Sequence, residues 1–116
     1  VTTQVGSKPE VKVYNALVKL GISFDFQSAQ LGGRQELGGM VLDFYIPDLY
    51  LGINVQSEYY HYGNPERIAI DKTQKAILET MGIKVIYIDE EDALRNAVYY
   101  VKEALAGRDH SRMRDL

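Results

Sequence analysis

The chain has 116 residues, 13 Lys and Arg against 16 Asp and Glu (formal net charge −3), and 46% hydrophobic residues. That is one domain's length and an ordinary globular composition. With no cysteine and only two histidines, disulfide scaffolds and thiolate metal sites are excluded and little remains for an all-protein zinc cage. No apolar run approaches the roughly 20 residues of a membrane span, and an acidic balance does not suit a nucleic-acid binder working alone.

Ser7-Lys8-Pro9-Glu10 has the form of a capping box with proline in the first turn. A helix is predicted from there to the Gly21 stop, with Val11, Tyr14, Leu17, Val18 and Leu20 at helical spacing. Ile22 to Ala29 alternates apolar and polar residues, the period of a half-buried strand. Gly32 to Gly39 reads as a glycine-rich loop, and it lacks the Gly-Lys-Ser/Thr ending of a P-loop. Met40 to Ile46 reads as a second strand, Pro47-Asp48 as a turn, and Leu49 to Gln56 as a third strand.

Beyond Gly63-Asn64-Pro65 a helix is predicted from about Glu66 to Met81, its apolar positions Ile70, Ile77, Leu78 and Met81 able to face a sheet, with Gly82 ending it. Lys84 to Ile88 reads as a fourth strand. Asp89 to Asp92 places acidic groups at the positive end of a last helix, whose face is Leu94, Ala97, Val98, Val101 and Leu105. The order α-β-β-β-α-β-α predicts an α/β (α+β) fold, a mixed four-stranded sheet covered by helices. Residues 1–7 read as an N-terminal extension, 8–106 as the domain and 107–116 as a polar tail or linker. The start at Val1 and the polar end lead to the expectation that the chain is part of something longer.

Two features concern chemistry. Asp43 interrupts an apolar strand, where an unpaired buried carboxylate is costly. It either faces solvent by alternation or belongs to a site. Immediately after the third strand comes Gln56-Ser-Glu-Tyr-Tyr-His-Tyr-Gly63, with three tyrosines and His61. Glu10 has a second reading as the partner of Ser7 in the capping box, Asp71 as a solvated ion pair with Lys75 one turn on, and His61 as a packed ring. Gln56 has no protonation chemistry near neutral pH and suits a structural or phosphate-donor role.

This element order with Asp43 in the second strand resembles the PD-(D/E)XK nuclease superfamily, with its restriction-endonuclease-like fold. Where most members carry Glu-x-Lys in the third strand, this chain has Asn54-Val55-Gln56. In that respect it is similar to the very-short-patch repair endonucleases and the EDxHD homing endonucleases, which place a histidine just after that strand. The EDxHD order is filled by Glu10, Asp43, Gln56 at the variable position, His61 and Asp71, and the eighteen-residue step from Asp43 to His61 agrees with the repair-enzyme pattern.

The resemblance covers residues 8 to 106 and implies a divalent-metal-dependent DNA endonuclease domain. Mg2+ or Mn2+ is expected on Asp43 and the backbone carbonyl of Val55, His61 as general base, Asp71 as orienter of the imidazole or of a water, and Glu10 as holder of an outer water. DNA would meet Arg34, Arg67, Lys72 and Lys75, with Tyr59 and Tyr60 stacking on bases; Arg108, Arg112 and Arg114 are further cations. The acidic charge leads to the expectation of help from another domain or subunit, and the resemblance implies the cytoplasm of a bacterial or phage-infected cell. The alternative is a catalytically inactive nuclease-fold module that mediates protein contacts in a larger protein.

Overall fold

The computed structural model describes residues 6–26, 36–37 and 40–116. Helix α1 (Lys8–Lys19) opens with the expected capping box. The Ser7 N–H donates to Glu10 Oε1 at 2.9 Å, and the Glu10 N–H donates to Ser7 Oγ at 3.4 Å. Its inward face is Pro9, Val13, Ala16 and Leu17, whereas Val18, expected inward, is exposed. The small Ala16 shares a core cluster with Ala93, Val101 and Ala104 of the last helix. Small side chains let two helices approach closely, and that contact selects the face.

Strand β1 (Asp25–Phe26) is all that is described as strand within the predicted 22–29. It pairs antiparallel with β4 (Phe44–Ile46). Part of the predicted glycine loop forms a short strand instead: β2 (Glu36–Leu37) pairs with β3 (Met40–Val41), apart from the main sheet. The predicted strand 40–46 is therefore broken at Leu42-Asp43. The Asp43 N–H donates to the side-chain Oδ1 of Asn54 at 2.7 Å rather than to a strand carbonyl. Arg34, the loop residues 32–35 and 38–39, and 27–29 lie outside the described residues.

A 3-10 turn at Pro47–Leu49, closed by Tyr50 in the left-handed region (φ 49°), delays β5 to Leu51–Gln56. β5 pairs antiparallel with β4 and parallel with β6 (Lys84–Asp89), giving the order β1-β4-β5-β6. The parallel pair requires a crossover, which is α2 (Pro65–Thr80). α3 (Glu90–Leu105) follows β6 and has a non-helical residue at Asn96. The architecture is a mixed four-stranded sheet flanked by helices, an α+β arrangement consistent with a restriction-endonuclease-like fold. No helix among the described residues is long and apolar enough to cross a membrane.

Alternation along β5 and β6 divides the core between the two faces of the sheet. Leu51, Ile53, Val55, Ile86 and Ile88 pack with α1 and α3. Val85 and Tyr87 pack with Leu42, Leu78, Ile83 and Met113 on the face of α2. Parity therefore sends Asn54 and Gln56 to the α2 side, and Gly52 as well, where a Cβ would come within 2.7 Å of Leu42. Of the apolar residues predicted to turn α2 toward the sheet, Leu78 does so, while Ile70, Ile77 and Met81 are exposed. Asp71 takes an inward position one turn on from Ile68, in line with Leu78. A polar residue on the buried face defeats a reading by hydrophobic spacing. On α3, Leu94 is likewise exposed and Ala93 and Ala104 are buried in its place.

Candidate active site

Asp43 sits at the break between β3 and β4, where it meets the end of β5. Its Oδ2 accepts from the Val55 N–H at 2.8 Å, while its own N–H goes to Asn54. Two side chains thus replace the missing ladder bonds, and the carboxyl is fixed in position. The residue as a whole is half-buried, but its carboxyl is enclosed by surrounding atoms. That desolvation, reinforced by the negative charge of Glu10 and more weakly by that of Asp71, raises its pKa to about 7, against the lowering effects of the Val55 N–H and Arg67.

Glu10 completes the capping box, and its charge also acts on Asp43.

Asp71 is buried (2% exposed) and is not the solvated partner of Lys75; Lys75 pairs with Glu79. Its Oδ2 receives His61 Nδ1 at 3.2 Å and Gln56 Nε2 at 3.3 Å, and its Oδ1 receives Arg67 Nε at 3.1 Å. A carboxylate only accepts, so Nδ1 of a neutral His61 carries the proton and Nε2 is left as the basic nitrogen. Gln56 ends β5 with its amide on Asp71. Its Oε1 is buried and has no hydrogen-bond partner among the described residues.

His61 is delivered by a single π-helical turn, Glu58–Tyr62, whose Ser57 cap accepts from the Tyr60 N–H. The turn places Tyr59 and Tyr60 outside, 82% and 70% exposed, with their rings edge to face.

The cations expected to meet DNA are largely engaged. Arg67 holds Asp71, Lys72 donates to the Leu116 carbonyl, and Lys75 lies 5.6 Å from the centre of the Tyr87 ring. Sequence reasoning missed Asn54 as the anchor of the Asp43 backbone and Asp89 as the acceptor for Tyr62 Oη and the Arg112 N–H. For Asn54 the signal was available, since it shares strand parity with Gln56.

Among the described residues, no group of three or more His, Cys, Asp and Glu side chains is placed to hold a metal ion. The donors present nevertheless fit a hard divalent cation that keeps most of its waters. Asp43 is a carboxylate made unfavourable as an anion by burial and by Glu10, which a positive charge would relieve, and Gln56 offers an unused oxygen.

No protein-family model matches the sequence, and no curated protein matches it. Among solved structures, the chain is similar in fold to the "Homing Endonuclease I-Bth0305I Catalytic Domain", with a TM-score of 0.64 and 17% identity, over 88% of this chain and 97% of that one.

Proposed function

We propose that the chain is a divalent-metal-dependent DNA endonuclease domain of the very-short-patch-repair or EDxHD type, hydrolysing phosphodiester bonds at the end of β5. The observation that carries the reading is a carboxyl fixed across a broken strand against the end of β5, Asp43, where Gln56 of the same strand end reaches the buried Asp71 that orients the His61 imidazole. The fold likeness to a homing endonuclease catalytic domain supports it.

In this reading Asp43, with the Val55 carbonyl, would hold Mg2+ or Mn2+, and Glu10 would hold a water beside it. The cation supplies charge relief for the phosphate and acidifies a water. His61 Nε2 takes the proton of the attacking water. Asp71 holds Nδ1 protonated and stabilises the imidazolium that results, while Gln56 and Arg67 keep Asp71 in place. Tyr59 and Tyr60 offer exposed rings to bases. Because Lys72 and Lys75 are already engaged within the chain, a further domain or subunit supplies most of the hold on DNA.

The second reading, an inactive nuclease-fold module that docks other proteins, draws support from the exposed apolar residues Ile70, Ile77 and Met81 on α2. Incubating supercoiled plasmid and a branched or single-stranded substrate with Mg2+ or Mn2+ separates the two. Metal-dependent cutting that disappears in both Asp43→Ala and His61→Ala is the expected result. Absence of cutting by the wild type, or cutting indifferent to both changes, favours the docking module.

A further inference from the structure

The turn that carries His61 closes on its own backbone, with the His61 and Tyr62 N–H groups on the Ser57 carbonyl and the Gly63 N–H on the Glu58 carbonyl, but its side chains give it little buried surface. None of the five residues Glu58–Tyr62 is buried, and a π turn is a rare conformation that is frequent at functional sites. Its two ends are gripped by one side chain from far along the chain. Arg112 donates through Nη1 to Glu58 Oε1 at 2.8 Å, and its guanidinium lies 4.2 Å from the centre of the Tyr62 ring. Glu58 is the first residue of the turn and Tyr62 the last, with His61 between them. The Tyr62 hydroxyl is bonded to Asp89 Oδ1, and the other oxygen of the same carboxylate accepts the Arg112 N–H at 3.0 Å. Asp89 ends β6 directly beside Gln56.

The arm that presents Arg112 is itself fixed. Met113 is buried in the cluster under α2, Ser111 is buried, and Asp109 Oδ2 accepts the Tyr87 N–H at 3.1 Å while its Oδ1 takes both the N–H and the hydroxyl of Ser111. Residues 109–113 thus lie as a strap over the end of β6 and hold the guanidinium where the His61 turn can be pinned.

We infer that Arg112 is a positioning residue for His61: through Glu58 and the face of Tyr62 it sets the π turn so that the imidazole meets Asp71. This gives the arginine a task other than phosphate contact, and its catalytic consequence rests on the nuclease reading above. The Arg112–Glu58 pair is exposed, and such pairs add little to stability, so the effect lies in geometry.

The test is a spectroscopic one with a kinetic arm. With two histidines in the chain, imidazole 15N spectra are assigned by comparison with His110→Gln. Wild type should show a His61 tautomer protonated at Nδ1. Arg112→Ala should keep its circular dichroism and melting temperature while the His61 signals move toward tautomer averaging. Cleavage by Arg112→Ala should lose about 10- to 100-fold in kcat, the scale of a misplaced catalytic group, with KM little changed. Arg112→Lys should recover part of both signals because it keeps the charge opposite Glu58. A folded Arg112→Ala with an unchanged His61 spectrum overturns the inference, whether or not KM rises as it would for a phosphate contact. If Arg112→Ala does not fold, Glu58→Gln, which removes only the ion pair, decides by the same spectrum. A His61 spectrum changed by Arg112→Ala, together with a wild type that never cuts DNA, sustains the positioning role and defeats the nuclease reading.

Discussion

Asp43 carries the largest electrostatic tension at the site. Its folded pKa of about 7 stands above the usual carboxylate value because burial and Glu10 disfavour the anion. The stabilisation from its bound proton is complete below the unfolded value of 3.8 and is lost as pH rises through about 7. In the metal-free protein Asp43→Asn should therefore be more stable than wild type at pH 8, by at most about 4 kcal/mol. It should also show a flatter stability profile between pH 4 and 7, read from urea melts in chelator. Equal slopes in the two proteins would contradict this origin of the shift.

Asp71 makes the opposite case, a buried carboxylate with a donor on every side. Asp71→Leu leaves the Gln56 amide without this partner, and an unmade buried hydrogen bond of that kind costs about 1–3 kcal/mol. A change below a few tenths in denaturant unfolding would show that Gln56 has another acceptor at hand. The resemblance to the EDxHD order made Asp43, His61 and Asp71 candidates together. It could not make Arg67 a partner of Asp71, because that pairing depends on which face of α2 turns inward.

At the scale of elements, α2 is where hydrophobic spacing misleads. Leu78 is fully buried while Ile77 and Ile70 stay exposed, since the inward face is shared with Asp71. Leu78→Ala should cost about 2–5 kcal/mol, whereas Ile77→Ala and Ile70→Ala should stay within about 0.5 kcal/mol. Thermal or urea unfolding of the three variants checks this directly, and a large loss at Ile77 would mean that its face is covered. The capping box of α1, the alternation from Ile22 to Phe26 and the parallel β5–β6 pair follow from local pattern and from the crossover rule. The break at Leu42-Asp43 does not, because it is made by bonds to β5, from the Asp43 N–H to the Asn54 side chain eleven residues on and from the Val55 N–H, twelve residues on, to the Asp43 carboxyl. Long-range side-chain substitutions for ladder bonds leave no periodic trace.

Over the whole molecule, the charge and the site pull in different directions. The net charge is −3, and Arg67, Lys75, Arg95, Arg108 and Arg112 each face a carboxylate of the chain itself. Of the cations expected to meet DNA, Arg67, Lys72, Lys75, Arg108 and Arg112 are already engaged within the chain, so binding of duplex DNA by this chain alone should depend weakly on salt. The slope of log K against log salt is expected to be shallower than about −3, against the steeper dependence of proteins with six or more phosphate contacts. A steep slope would mean that the engaged arginines leave their partners when DNA arrives. The mixed four-stranded sheet covered by helices was readable from the sequence, because the element order joins an antiparallel meander to a fourth strand through a helical crossover. The charge pairing was not, since it is a property of the assembled surface.

Asp43 and His61 are proposed to act in one hydrolytic site. The direct measurement is the rate of Mg2+-dependent plasmid cleavage for wild type, Asp43→Ala, His61→Ala and the double variant. If the two residues work as a unit, each single change costs about as much as both together, with losses of about 10²-fold or more. Losses that multiply in the double variant, or a single variant that cuts at the wild-type rate, would contradict the account.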